Sequence, residues 1–323
     1  MAYKYIWEDP RTFKINKEDG HTFSMPFDSI EQAMSGEESQ YKQSLNGQWK
    51  FYWQRGMENQ PSDFQSPNFD DSKWGEIKVP SVWQTEGYSV PYYYASTFPR
   101  ALSRVKSQIP KIDSTMQEIG FYRRSFTLPE TWDGREIFLT FSACKAALEV
   151  WVNGEYVGFS TGSMTPHEFD VTKYLKSGEN LVCAKVYRFA ATSYLEDQDM
   201  WWLCGIYREV FLYAEPKTCL RDFYVKTDLD EEYKDSELSL DGYIKNYNSE
   251  KKTVRFQASI LSDTGKETPI GEGETEIAPG ETATIKLSQF IKNPKKWSAE
   301  QPNLYKLVMA ISSNHEIIAA KTY

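Results

Sequence analysis

Between Ser193 and Trp202 the chain reads SYLEDQDMWW, the one stretch where charged acceptors and flat apolar rings are crowded together. Glu196, Asp197 and Asp199 supply carboxylates and Gln198 an amide, flanked by Tyr194 and by the consecutive Trp201 and Trp202. A carboxylate accepts short, strong hydrogen bonds from hydroxyls, and an indole or phenol ring offers an apolar face with a polar edge. Together they suit the two sides of a pyranose, its hydroxyls and its C–H face. Adjacent acidic residues on a loop are often just solvated, but two neighbouring tryptophans beside four polar side chains make an awkward surface to expose without purpose. Asp197 and Asp199 also alternate as hard oxygen ligands can. A calcium-hand loop is excluded, because neither the central glycine nor the distal glutamate follows at the required spacing.

Other chemistry is thinly represented. Glu196 and Asp199 could approach the spacing of a retaining glycosidase pair, about 5 to 5.5 Å, yet such a pair needs one carboxyl raised in pKa by an apolar setting. His21, His167 and His315 are far apart in sequence and read as surface residues. No Ser/His/Asp set, phosphate-binding glycine loop or zinc spacing is present. Cys144, Cys183, Cys204 and Cys219 lack CxxC spacing and read as buried free thiols.

The elements that must carry the acidic loop are strands. GQWKFYW, FYRRSFTL, EIFLTFSA, ALEVWVNGEYVGFS, NLVCAKVYRF and YREVFLYA are rich in β-branched and aromatic residues. Asn153 and Gly154 between VWV and EYVGF signal a two-residue hairpin, and SGEN at 177–180 marks another turn. The pattern predicts an all-β fold of two packed sheets. Residues 1–40 mix Pro, Gly and aromatic patches and read as an arm, with one short helix in SIEQAMSG capped by Ser29 or Asp28. Residues 102–118 are polar and unpatterned, a long loop of the kind that carries function. After Glu215 and Pro216 the alternation in VRFQASIL and TATIKL gives a second sandwich of about seven strands, the size of an immunoglobulin-like domain. The domain boundaries expected are 1–40 for the arm, 41–215 for the first sandwich and 216–323 for the second.

Composition narrows the partners. The 323 residues carry 37 basic and 46 acidic side chains, a net charge of −9 with no basic run. Nucleic acid and anionic membrane are therefore not the expected partners. No run of eighteen apolar residues exists to span a membrane, and MAYKYIWEDP lacks the apolar core of a signal peptide. Cytoplasm and periplasm both stay open as compartments. Aromatic residues reach 15% of the chain, which suits broad sheets and carbohydrate sites alike.

YLEDQDMW followed by GIYREVFLY resembles the signature that closes the N-terminal sugar-binding domain of family 2 glycoside hydrolases, in particular the large bacterial β-galactosidases. WEDP, LNGQWKFYW, FDDSKWGEIKVPSVWQTEGYSVPYY, GFYRRSF, WVNGEYVGFSTGSMTPHEFDVTKYLKSGEN and WSAEQPNLYKL recur in the family's order, so the resemblance spans nearly the whole chain. It implies a jelly-roll (galactose-binding-like) sandwich followed by an immunoglobulin-like β-sandwich. It also implies a C-terminal (β/α)8 barrel that holds both catalytic glutamates and is absent from this sequence, so no catalytic residue is expected here. By carry-over, Asp199 accepts a galactosyl hydroxyl and helps ligate sodium, Trp201 shapes the pocket, and Gln117 takes the place of an asparagine that reaches the sugar. Glu196 and Asp197 hold the loop through backbone hydrogen bonds, and His167 has a structural role. FAATSY stands where the family more usually has WSDGSY, without an aspartate and a glycine just ahead of the motif. The complete enzyme would take Na+ and Mg2+ as cofactors, act on a galactoside sugar and form a homo-oligomer. A stand-alone carbohydrate-binding β-sandwich protein is the competing reading, with a sandwich used for protein contacts as a third.

Overall fold

Runs of β-branched and aromatic residues favour pleated, half-buried chain, and the computed structural model, which describes residues 3–93, 109–196 and 198–323, is built on strands from end to end. Residues 102–108 of the expected long loop, and Asp197, lie outside the described residues. The described residues fall into two compact units, Met1–Asp19, Gln43–Thr131 and Ile137–Leu212 in one, and Gly20–Lys42, Trp132–Glu136 and Tyr213–Tyr323 in the other. The amino-terminal segment is thus divided between them at residue 19.

The first unit is the jelly-roll sandwich. Its strands are β1 (Lys14–Ile15), β2 (Lys42–Ser44), β3 (Gly47–Arg55), β4 (Gly75–Val79), β5 (Glu118–Thr127), β6 (Glu136–Phe141), β7 (Ala147–Val152), β8 (Glu155–Thr161), β9 (His167–Asp170), β10 (Glu179–Tyr187) and β11 (Val210–Glu215). One sheet runs β1-β8-β7-β10-β5-β3-β4 and the other β2-β11-β6-β9. The hairpin read from Asn153-Gly154 joins β7 to β8, both turn residues having positive φ, 53° and 91°, as a type I′ turn requires.

Strand β10 lies at the centre of the larger sheet, with Lys185 opposite Phe121 of β5 and Glu149 of β7. Period-two geometry sends Val182, Ala184 and Val186 to one face and Leu181, Cys183, Lys185 and Tyr187 to the other. Most of both sets is buried, because Trp7, Phe64, Ile112 and Met116 pack on the outer set as a third layer. Gly120 of β5 is required by a close approach. A Cβ there would stand 2.6 Å from Cζ2 of Trp83 and 2.8 Å from Cε2 of Phe51.

The second unit is the immunoglobulin-like sandwich, of β12 (Thr218–Leu229), β13 (Ser236–Asn246), β14 (Lys252–Leu261), β15 (Glu267–Ile277), β16 (Thr282–Ile291), β17 (Lys306–Ser313) and β18 (Glu316–Thr322). Its sheets are β12-β13-β16 and β15-β14-β17-β18. Here the alternation read from the sequence is realised, with Leu238, Leu240, Ile244, Val254 and Phe256 turned into one core. Within the same unit α1 (Ile30–Met34) forms in SIEQAMSG, the Ser29 hydroxyl accepting from the Gln32 amide at 3.2 Å. This N-cap satisfies an amide that no helical carbonyl can reach.

All four cysteines are free and buried. His167 is a correction: it reads as a surface residue but is fully buried in β9, its Nδ1 2.6 Å from the Ser160 hydroxyl. Loss of hydration, with a further push from the Lys17 charge, lowers its pKa from 6.5 to about 3. The unfolded chain therefore binds this proton near pH 6.5 and the folded chain only near pH 3. Stability from the neutral imidazole is complete above about pH 6.5 and declines as the pH falls through that window.

Two outcomes follow from the packing. In urea melts between pH 7 and 4, His167→Gln should lose part of the wild-type fall in stability, so that the two proteins converge towards the acid end; parallel curves would contradict the depressed pKa. Gly120→Ala should cost about 1–3 kcal/mol of unfolding free energy, because neither ring beneath it can move without repacking; an unchanged denaturation midpoint would show the approach to be looser than described.

Candidate functional site

The acidic loop leaves the end of β10 through a short 3-10 turn at Ala191–Tyr194, locked by the Ser193 hydroxyl, which accepts from the Ala190 amide at 3.0 Å. Its acidic residues then part company. Glu196 is tied down, one carboxylate oxygen accepting from the Ser163 amide at 2.6 Å and the other from the Ser163 hydroxyl at 2.7 Å. Ser163 has no exposed surface, and its carbonyl accepts from the Tyr207 hydroxyl. Glu196 therefore holds the loop by charge-assisted hydrogen bonds, as expected.

Asp199 faces outward. It is exposed, and one of its oxygens accepts from the hydroxyl of Tyr93. That hydrogen bond, together with the carboxylate's negative charge, raises the Tyr93 pKa and keeps the phenol protonated. Trp201, 60% exposed, lies against Tyr93 with ring centroids 5.8 Å apart and planes at 48°. An exposed carboxylate beside two partly exposed rings can accept from a hydroxyl while a C–H face rests on the rings. Trp202 points the other way, 3% exposed, with the Lys145 ammonium 4.3 Å from its ring and its amide donating to the Tyr92 carbonyl at 2.8 Å.

Arg188, one residue beyond β10, positions these pieces. Its guanidinium pairs with Glu118 at 2.9 Å and donates to the carbonyls of Val90 at 2.9 Å and Trp202 at 3.2 Å. It also donates to the Ser89 hydroxyl and stacks at 4.6 Å over Tyr92. One buried cation thus fixes the loop that carries Tyr93 and the chain that follows Asp199. The sequence reading missed Arg188, Tyr93 and Ser163. A charged residue closing the apolar run NLVCAKVY was a usable signal for Arg188; nothing local distinguishes Tyr93 from its neighbours in PYYY.

Gln117 is placed differently from its expected role. It has no exposed surface, and its amide is spent on backbone, donating to the Phe189 carbonyl at 2.8 Å and accepting from the amides of Phe189 at 3.0 Å and Glu118 at 3.2 Å. It clamps β5 to the exit of β10, while Asp199 and Trp201 come together through Tyr93. Among the described residues no three His, Cys, Asp or Glu side chains converge on a metal position. Asp199 brings a single carboxylate, fit for one ligand of a sodium ion but not for the acidic cage of a divalent one.

The chain is thus a jelly-roll sandwich that presents a carboxylate and aromatic rings on a loop, followed by an immunoglobulin-like sandwich. The profile of "Glycosyl hydrolases family 2, sugar binding domain" matches residues 42–216, and that of "Glycosyl hydrolases family 2" matches residues 218–323. The chain belongs to glycosyl hydrolase family 2 and comprises the family's N-terminal, non-catalytic domains. It is 36% identical over 308 residues to a β-galactosidase of Priestia megaterium, covering 94% of this chain and 30% of that protein. With a β-galactosidase of Photobacterium profundum the identity is 35% over 308 residues, covering 94% and 29%. The chain spans about three-tenths of the length of these curated relatives. Among solved structures, a β-glucuronidase of Bacteroides uniformis superposes with a TM-score of 0.70 at 24% identity, over 87% of this chain and 31% of that one. A β-glycosidase of Bacteroides vulgatus gives 0.63 at 21%, over 87% and 33%. At such identities these two speak for the fold.

Arg188→Ala should destabilise the first unit by about 3–5 kcal/mol, since truncation leaves the Glu118 carboxylate buried and unpaired. Arg188→Lys should recover only part of this, because an ammonium cannot reproduce the planar fork. Urea melts followed by tryptophan fluorescence would check both; a near-neutral Arg188→Ala would show that the pair does not organise the site.

Proposed function

We propose that this chain forms the sugar-facing wall of a retaining β-galactosidase, acting on terminal non-reducing β-D-galactosides when joined to a (β/α)8 barrel that carries both catalytic glutamates. The observation that carries this reading is Asp199, an exposed carboxylate oriented by Tyr93 beside the open face of Trp201. Identity of 35–36% to β-galactosidases along almost the whole chain supports the galactoside as substrate. In this reading Asp199 accepts one galactosyl hydroxyl and supplies one oxygen to a sodium ion, while Mg2+ and the catalytic pair belong to the barrel and the complete enzyme is a homo-oligomer. Among the described residues, the side chains at the loop's open face are Asp199, Gln198, Tyr93 and Trp201.

Purified chain supplied with a chromogenic β-galactoside, sodium and magnesium should show no turnover, and galactose should bind more weakly than millimolar, about 4 kcal/mol. In the same sequence joined to a family 2 barrel, Asp199→Ala should lower kcat/KM by about 10- to 100-fold, the size of a charged hydrogen bond of about 1.5–3 kcal/mol. Turnover by the isolated chain that vanishes in Asp199→Ala would move the chemistry into the loop. Preference of the barrel-bearing protein for a β-glucuronide would overturn the galactoside reading.

A further inference from the structure

The outer face of the larger sheet holds a polar pair that the loop site does not use. Lys185 stands at mid-strand in β10, opposite Glu149 of β7, and both are half-buried. The Lys185 ammonium lies 5.5 Å from the centroid of Phe121 and 5.1 Å from that of Tyr187, so two buried rings form its floor. Glu149 accepts from the Tyr187 hydroxyl at 2.5 Å through one oxygen, which leaves the other open to a second donor. The third layer packs on this face beside the pair, which stays half-buried. Trp7 packs on Tyr187 at 5.8 Å, and Phe64 on Phe121 at 5.0 Å.

The rims are aromatic and partly in water. On one side Tyr52, 37% exposed, stacks on Trp74 at 5.6 Å and 29°. On the other Tyr156, 38% exposed, meets Trp151 edge-on at 5.4 Å. Tyr52, Phe121, Lys185 and Glu149 fall in one row across four adjacent strands, a span of roughly 14 Å at the usual strand spacing. Sandwiches bury apolar side chains on the sheet face that meets the core and commonly leave the other face to water. A half-buried cation and anion set between partly exposed aromatic rims is neither.

We infer that this row is a second carbohydrate-binding site, separate from the Asp199 loop, for a neutral oligosaccharide of several pyranose units. Charge selects the neutral sugar. An anionic ligand drawn to Lys185 meets Glu149, and a cationic one drawn to Glu149 meets Lys185, whereas a hydroxyl can donate to the carboxylate and accept from the ammonium at once. The partly exposed rings of Tyr52 and Tyr156 at the two rims take the C–H sides of the flanking sugars, and the length of the row exceeds that of one pyranose. Burial lowers the pKa of Lys185 and the Glu149 charge opposes the shift, so a hydrogen-bonding ligand replaces hydration that the ammonium has already lost.

The test is titration of the purified chain with β-1,4-linked galactotetraose and, separately, cellotetraose, followed by calorimetry and tryptophan fluorescence. At least one tetrasaccharide should bind, more tightly than its monosaccharide. Lys185→Met, which keeps the stem and drops the charge, should weaken binding at least tenfold, and Tyr52→Ala should weaken it as well. Asp199→Ala should leave it unchanged. Thermal melts of each variant, compared with wild type, confirm that the fold is retained. Absence of binding to both tetrasaccharides overturns the proposal, as does equal binding by Lys185→Met. Loss in Asp199→Ala with retention in Lys185→Met overturns it too, and assigns the sugar to the loop.

Discussion

A guanidinium withdrawn from water must spend its donors on fixed acceptors, and the arrangement around Arg188 follows from that demand. Its partners come from places far apart in sequence: the first residue of β5, the loop at Ser89 and Val90, and the backbone of Trp202. Each is held at hydrogen-bonding distance because the alternative is an uncompensated buried charge. Tyr92 is stacked in the same contact, so Tyr93 next to it can reach Asp199. Gln117 works beside this pair in the same way, its buried amide saturated by backbone groups. Two polar side chains at the mouth of the sheet thus give precision to the loop.

The third layer explains why the first sandwich reads less clearly than the second. A sheet with one wet face shows alternation, and β13 and β14 do so. Strand β10 has covering groups on both faces, so its sequence approaches a continuous apolar run in which Lys185 and Arg188 stand out. Both exceptions prove to have specific surroundings, Arg188 partners for both of its terminal nitrogens and Lys185 a floor of rings. Charged residues inside an apolar run are informative because burying a charge is costly without compensation. The first unit also absorbs Trp7, so the beginning of the chain supplies core to this sandwich.

The division between Glu196 and Asp199 was half legible. Their type and the flanking rings marked the stretch as a place for hydroxyl-bearing ligands. Which carboxylate is structural and which is open depended on Ser163 and Tyr93, residues contributed by other loops. Trp201 and Trp202 make the same point, since adjacent residues on an extended segment face opposite ways and sequence cannot say which way is inward.

The sequence by itself determined the all-β class, the Asn153-Gly154 hairpin, the short capped helix in SIEQAMSG, the two-sandwich order and the stretch that carries the site. All of these rest on local rules, namely side-chain period, turn stereochemistry and cap chemistry, or on an ordered set of motifs. Only the tertiary structure decided that His167 is buried and neutral, that Gln117 serves the backbone, that Arg188 organises the loop, and that Lys185 lies among rings. Burial and hydrogen-bond partners are long-range quantities, fixed by residues that the fold brings together from dozens of positions away.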